Sequence, residues 1–429
     1  MMRGTFLAGL ALAVSAGPSF SAEDSMGNWP QWRGPNRDDV STDTGLLTEW
    51  PKEGPKLIWE AKGAGRGYAS LAITGSRIYT LGDKLSTADD ESTYASCFDA
   101  NSGKQLWKTK LGDAWNSGSP DWQGSRCTPT VDGDRVYCVT PQGGLFCLKS
   151  ADGSKVWQKD LRADFGGDKG DGWGYSESPL IDGDHLICTP GKAKNTMVAL
   201  DKKTGTKVWS ASVPGDKGAG HASIVISEVD GTRVYVQTTA SNILGVRAND
   251  GKVLWTNPIG ATAVIPTPIV HGDLVFADAG YGKGGKLLRQ VSDGKGGVKV
   301  ETVYDFKKDL ANKHGGVVLV GDYVFGDSED RGMVWCAKLE TGEPQKGWKE
   351  RGSGRGSASM TSADGQLYVH YASGTMALVK AAPEGYKESG SFKVPHSGSA
   401  PSWSHPVVTG GRLYVREGDW IMCYDVKAK

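Results

Sequence analysis

The chain has 429 residues, with 49 Lys and Arg against 49 Asp and Glu, and 61 glycines. The balanced charge supplies no basic field for nucleic acid or anionic lipid. Glycine at about twice ordinary usage calls for many tight turns, and long amphipathic helical patterns are absent. A length that ordinarily means about three domains suits a single one when repeated units share a continuous core.

At the start, Arg3 precedes an apolar run from Phe6 to Ala16, and small residues follow. This is the order of a secretory signal peptide, too short to span a bilayer, so residues 1–22 are expected to be removed by cleavage between Ala16 and Ala22. No cysteine precedes Cys97, which argues against a lipid anchor. The mature protein is expected to be exported, periplasmic or secreted, and monomeric, with no transmembrane helix. Residues 23–54 read as an N-terminal arm. Its segment Asn28-Trp29-Pro30-Gln31-Trp32-Arg33-Gly34-Pro35 suits no regular element. Trp29 and Trp32 nevertheless require burial, and the arm is expected to lie over a rim or the outer surface of the following domain.

From residue 55 a repeat takes over. It is plainest from Ser178 to Ser210, where SPLIDGDHLICTP is followed by TMVALDKKTGTKVWS. Four short strands fit this stretch, with Gly183 and Gly205 supplying the positive φ that tight hairpins need. Equivalent glycines fall at Gly75, Gly133, Gly231, Gly272, Gly321, Gly365 and Gly411, a spacing of about forty to sixty residues, in the range of propeller blades. Eight turns predict an all-β, eight-bladed β-propeller of four-stranded antiparallel blades over residues 55–429. Aromatics end the fourth strands as Trp107, Trp157, Trp209 and Trp255, with Tyr304, Trp348 and Phe392 as looser matches. The last unit stops at Cys423-Tyr424-Asp425, whereas Leu57-Ile58-Trp59 has the form of a fourth strand with no blade before it. Pairing the two closes the ring and removes open sheet edges.

The seven cysteines cannot all pair with one another. Cys97, Cys147, Cys336 and Cys423 share one blade position, where other blades carry Ala199, Gly245 and Ala377. Cys138 and Cys188 share another. Small side chains at fixed positions point to packing rather than disulfide or metal chemistry.

Blade register places Tyr68, Arg126, Glu177, His221, His314, Ser357 and His405 near the starts of innermost strands, around one end of the central channel, with Trp403 beside them. A funnel of this kind would hold a small polar or anionic ligand, with Arg126 offering a forked donor pair and the histidines titrating near neutral pH. The same residues also suit a solvated channel wall, for instance with Arg126 cross-linked to Glu177. His271 and His396 read as exposed turn residues. Trp115 and Trp122, in the long loop before the second blade, are candidate rim anchors for a protein partner.

The segments TPTVDGDRVYCV, GYSESPLIDGDHLICTPG, IPTPIVHGDLVFA and HGGVVLVGDYVFG resemble the repeats of pyrroloquinoline-quinone-type propellers. That family includes quinoprotein alcohol dehydrogenases and the BamB-type propeller of outer-membrane assembly. The resemblance implies two functions. The first is an exported, non-catalytic binding scaffold of the cell envelope, engaging an envelope protein, with a small-ligand site at the channel mouth and no cofactor. The alternative is a periplasmic oxidoreductase that uses pyrroloquinoline quinone with calcium or another divalent or trivalent cation, Glu177 serving as metal ligand. The adjacent-cysteine pair and Cys-x-x-Cys-His segment of enzymatic relatives are missing, and no catalytic residue is assigned. Fold carries many functions, so these motifs specify architecture more strongly than chemistry.

Overall fold

The computed structural model describes residues 27–348 and 350–429. The expected signal segment, residues 1–22, lies outside the described residues. Gly183, at φ 57°, turns Leu180–Asp182 back onto His185–Cys188. Met197–Asp201 and Lys207–Ala211 add to this pair as the third and fourth strands, all antiparallel. Eight sheets of this kind form the ring, and 3-10 turns are the only helical elements among the described residues. Lys56–Lys62 is the outer strand of the eighth blade, pairing with Trp420–Asp425, so the first strand of the ring closes its last sheet.

One interaction recurs at six of the eight junctions between blades, Trp255 and Phe392 making no such bond among the described residues. A register shift beside the strand-ending Trp, as between Lys155 and Trp157, re-aims the indole toward the neighbouring blade. There Trp59, Trp107, Trp157 and Trp209 donate Nε1–H to the carbonyls of Ala100, Ser150, Lys202 and Ala248, at 3.0–3.1 Å. The turn glycine of that next blade lies against the indole face. A Cβ on Gly153 would come within 2.5 Å of Trp107, and one on Gly251 within 2.5 Å of Trp209. Tyr304 and Trp348 make the equivalent bond to Leu339 and Ala382, whereas Phe392 has no donor to offer. Opposite the indoles sit Cys97, Cys147 and Cys423, which explains the demand for small side chains there. All seven cysteines are free and buried, and burial raises their thiols, Cys97 to about 12.

The arm does not take the rim position expected of it. Asn28–Trp29 adds a strand to the innermost edge of the first blade, against Ile73 and Thr74, and the chain then crosses the channel. Innermost strands present unpaired backbone groups to the axis, and these need partners when buried. Arg37 donates to the carbonyls of Ser178 and Pro179 in the third blade. Arg33 donates to Thr267 and Val317 in the fifth and sixth. Ser41 N–H reaches Ser362 in the seventh, and Asp39 meets His405 Nδ1 of the eighth at 3.0 Å. Arg33 and Asp39 form an ion pair at 2.7 Å with side chains 0% and 1% exposed. Arg33, Arg37 and Asp39 all adopt left-handed backbone (φ 62°, 61° and 59°), costing about 1–2 kcal/mol each, which the buried partners offset. The arm leaves where Trp50 packs on Tyr368 and Phe392. A rim position would have left both the Trp side chains and these edge carbonyls unsatisfied.

Removing Asp39 strands a buried guanidinium. Asp39→Ala is expected to lower the unfolding free energy by about 3–5 kcal/mol, while replacing both charges (Arg33→Met with Asp39→Leu) costs less. Urea unfolding measures both. A loss below about 1 kcal/mol for Asp39→Ala would show that the arm is not anchored by this pair.

Candidate functional site at the channel mouth

The arm begins and ends at the hairpin-turn face of the ring. Asn28 pairs with Thr74, Leu46 N–H meets Asp364, and Asp43 accepts from Gly411. The opposite end, where loops feed the innermost strands, keeps a cavity of about 440 Å³ with arm residue Trp32 in its lining. Six of the eight residues expected at this mouth line it: Tyr68, Arg126, His221, His314, Trp403 and His405.

Its walls are aromatic. Trp403 stacks on His314 at 4.2 Å with planes 19° apart, and meets Tyr68 at 4.8 Å. Arg126 lies over Tyr68 at 5.5 Å. Trp173 sits between Trp122, 6.3 Å away, and His221, 6.1 Å away. Trp122 lines the cavity and is still 43% exposed, whereas Trp115 is half-buried.

The charged groups of the lining are of one sign, among hydroxyls from Ser176, Ser178, Ser223 and Thr262. Arg126 and Lys313 line the cavity, and no Asp or Glu does. Lys313 is paired with Asp330 at 2.7 Å. Trp403 Nε1, His314 Nδ1 and His405 Nε2 are buried without a hydrogen-bond partner among the described residues. Buried polar atoms ordinarily have partners, and these three belong to side chains of the cavity lining. Two histidines do not titrate near neutrality as expected. Burial pushes His221 down to about 4, and burial together with Lys313 lowers His314 well below the usual imidazole range, so both rings are neutral at pH 7.

The family model described as outer membrane protein assembly factor BamB matches residues 90–350. The chain belongs to that family. Among solved structures, BamB from Moraxella catarrhalis is similar over 84% of this chain and 95% of its own, with 18% identity and a TM-score of 0.57. A europium-containing methanol dehydrogenase is similar over 91% and 89%, with 11% identity and a TM-score of 0.63. The quinohemoprotein alcohol dehydrogenase ADHIIG from Pseudomonas putida HK5 is similar over 95% and 81%, with 12% identity and a TM-score of 0.61. Likenesses this distant concern the fold alone. Among curated proteins none matches the sequence.

Against this BamB-type propeller, two expected site residues fall elsewhere. In extended chain, side chains alternate between faces, and from Ser176 to Ser178 the two serines line the cavity while Glu177 points away. Glu177 instead accepts from Thr189 N–H at 2.7 Å, Thr189 Oγ1 at 2.8 Å and Gln237 Nε2 at 3.0 Å. It is not cross-linked to Arg126, which donates to the carbonyls of Gly124, Trp173 and Trp122. A metal held through Glu177 does not fit this arrangement. No cluster of three or more metal-ligating side chains occurs among the described residues. Ser357 is buried in the seventh blade outside the cavity lining. Outside it too, His271 and His396 are exposed turn residues, His396 stacking on Trp420 at 3.7 Å. Trp32, Trp173, Ser176 and Lys313 are lining residues that the sequence did not reveal. Trp32 stood out as needing burial, and Trp173 sits in the glycine-rich run DKGDGWGYS.

Burial raises the Glu177 carboxyl to about 7 despite the Thr189 bonds. The folded protein therefore holds this proton more tightly than the unfolded chain, and stability present below the ordinary carboxyl pKa of 4.5 is lost as pH rises to about 7. Glu177→Gln removes that dependence. Melting at pH 4.5 and pH 8 is expected to show the variant gaining on the wild type by about 3 kcal/mol at the higher pH. An unchanged difference would mean Glu177 is already ionised at low pH.

Proposed function

We propose that this chain is an exported binding propeller of the cell envelope whose channel mouth takes up a small, flat ligand rich in hydrogen-bonding groups. The carrying observation is the composition of the cavity: aromatic walls, two cationic side chains, three unpartnered ring nitrogens and no carboxylate. Flat rings match such walls, and Arg126 with Lys313 favours a ligand bearing carboxylate groups. The arm supports the reading by crossing the channel, which makes the mouth a blind pocket rather than a pore.

Export is supported by the charged-then-apolar start of the sequence and by the BamB-type family. Among the described residues, no helix is long and apolar enough to cross a membrane. In this reading the outer loops remain available to an envelope protein, the protein acts as a monomer, and ligand uptake needs neither metal nor redox cofactor.

A second reading, a quinone-dependent oxidoreductase, is favoured by the flat aromatic cavity on the propeller axis. It would require a metal seat other than the one expected through Glu177.

Calorimetric titration with pyrroloquinoline quinone, used as a flat tricarboxylate probe, separates the two. Binding is expected to be saturable in EDTA, weakened at least about tenfold by Trp403→Ala or Arg126→Gln, and unaffected by Glu177→Gln. Binding that needs calcium and is abolished by EDTA would transfer support to the oxidoreductase. No binding to a variant-free, folded protein with or without calcium would overturn the ligand pocket and leave the rim scaffold.

A further inference from the structure

A line of three side chains at the cavity wall has no part in the binding reading. Ser176 Oγ lies 2.7 Å from His221 Nδ1, and His221 Nε2 lies 2.9 Å from Asp171 Oδ2. Ser176 and His221 line the cavity. Asp171 stands behind them, its side chain 9% exposed.

The loop that carries Asp171 is fixed from several sides. Lys169 Nζ donates to Gly220 O at 2.5 Å, Trp173 N–H donates to Asp171 Oδ1 at 3.1 Å, and the Lys169 ammonium stands 3.8 Å from the Asp171 carboxylate. Burial works to raise the Asp171 carboxyl, but His221, Lys169 and the Trp173 N–H outweigh it and hold the group well below the usual carboxylate range. An ionised carboxylate only accepts. His221 therefore carries its proton on Nε2, and bare Nδ1 accepts the hydroxyl proton of Ser176. Burial, with the positive charge of Lys169, keeps the ring neutral at pH 7, the state a general base must have.

We propose that Ser176, His221 and Asp171 form an acyl-transfer site that hydrolyses small aryl esters drawn into the mouth cavity. The proposal rests on the ligand-pocket reading, since the substrate must enter the same space. Ser176 Oγ attacks the ester carbonyl and passes its proton to His221 Nδ1. The tetrahedral intermediate collapses, and the departing alcohol takes that proton from His221. Water then attacks the acyl-serine and gives its proton to His221. The serine oxygen leaves as the acid is released, and recovers the proton. The sum is ester and water to acid and alcohol, with no oxidant, reductant or cofactor. Asp171 holds the ring and stabilises the transient imidazolium. The imidazole is turned around relative to the familiar serine hydrolase arrangement, in which Nε2 faces the serine, but either nitrogen supplies the same base.

The surroundings fix the substrate class. Trp173 flanks His221 at 6.1 Å, and Trp122 stands edge-on to Trp173, a wall shaped for an aryl group. Arg126 lines the same cavity. Three of its N–H groups are spent on loop carbonyls, and the others find no protein acceptor among the described residues. They are the donors available to a developing oxyanion.

The test uses the mature protein and a fluorophosphonate probe, with peptide mass spectrometry locating the adduct and 4-nitrophenyl acetate reporting turnover. One adduct on Ser176 is expected, absent from Ser176→Ala and His221→Ala. Release of 4-nitrophenol should be saturable, fall at least about a hundredfold in each variant, and rise with pH through about 4 to a plateau at neutrality. Thermal melting and pyrroloquinoline quinone titration of Ser176→Ala show whether the variant is folded with an open pocket. If the wild type binds that probe but gains no adduct on Ser176, acyl transfer is overturned and the pocket stands. If neither the planar probe nor the fluorophosphonate binds, both readings fail together. Turnover that survives in a folded Ser176→Ala also overturns the site.

Discussion

The hook between blades is the interaction on which the rest depends. The indoles of Trp59, Trp107, Trp157 and Trp209 bury their faces on a glycine of the next blade and donate Nε1–H to a carbonyl of the same turn, as Trp157 does with Gly205 and Lys202. A glycine is required twice over at such a turn, by its positive φ of 71° and by the indole pressed on it. Repeated around the chain, the contact fixes both the spacing and the tilt of neighbouring sheets. The ring therefore closes at eight blades, with Trp59 in its last sheet donating to Ala100 in the first blade.

Eight sheets leave an axial space edged by the backbone groups of their innermost strands. The chain resolves this with its own N-terminal arm. Arg33 and Arg37 present planar forks of donors to four carbonyls at three strand entrances, which no apolar plug would satisfy. The cost is a buried positive charge, answered by Asp39, and Asp39 in turn holds His405 at the floor of the mouth. One ionic group thus joins the closure of the channel to the orientation of a side chain lining the site. Folding and site geometry are coupled through it.

The architecture was legible because it is periodic. Turn glycines, strand-ending aromatics and small residues opposite them recur in the sequence at the spacing the sheets require, and the strand beginning near Leu57 lacked any other partner. The arm was not legible, since no repeat records it. Its two tryptophans announced burial but not the axis as the place, and the carbonyls that Arg33 and Arg37 satisfy are backbone groups with no signature in side-chain pattern. The site was half legible for a related reason. Register located the mouth, but strand alternation decides each face, and a phase difference of one residue put Ser176 where Glu177 was expected. Asp171, two loops away in function and five residues away in chain, had no period to reveal it.

The cavity itself follows a rule that composition hides. The chain as a whole is neutral, with 49 positive and 49 negative side chains, yet the mouth is lined by Arg126 and Lys313, by imidazoles and hydroxyls, and by no carboxylate. The acids stand one layer back: Asp171 behind His221, Asp39 behind His405, Asp330 against Lys313. A carboxylate in that position orients a nitrogen group and sets which of its atoms carries the proton, without itself repelling an electron-rich ligand. For His221 the outcome is a bare nitrogen aimed at a hydroxyl. For His405 it is one ring nitrogen engaged by Asp39 and the other left without a partner. His314 has no acid behind it and is held instead by stacking on Trp403. The cavity therefore offers three imidazoles in different settings within one space.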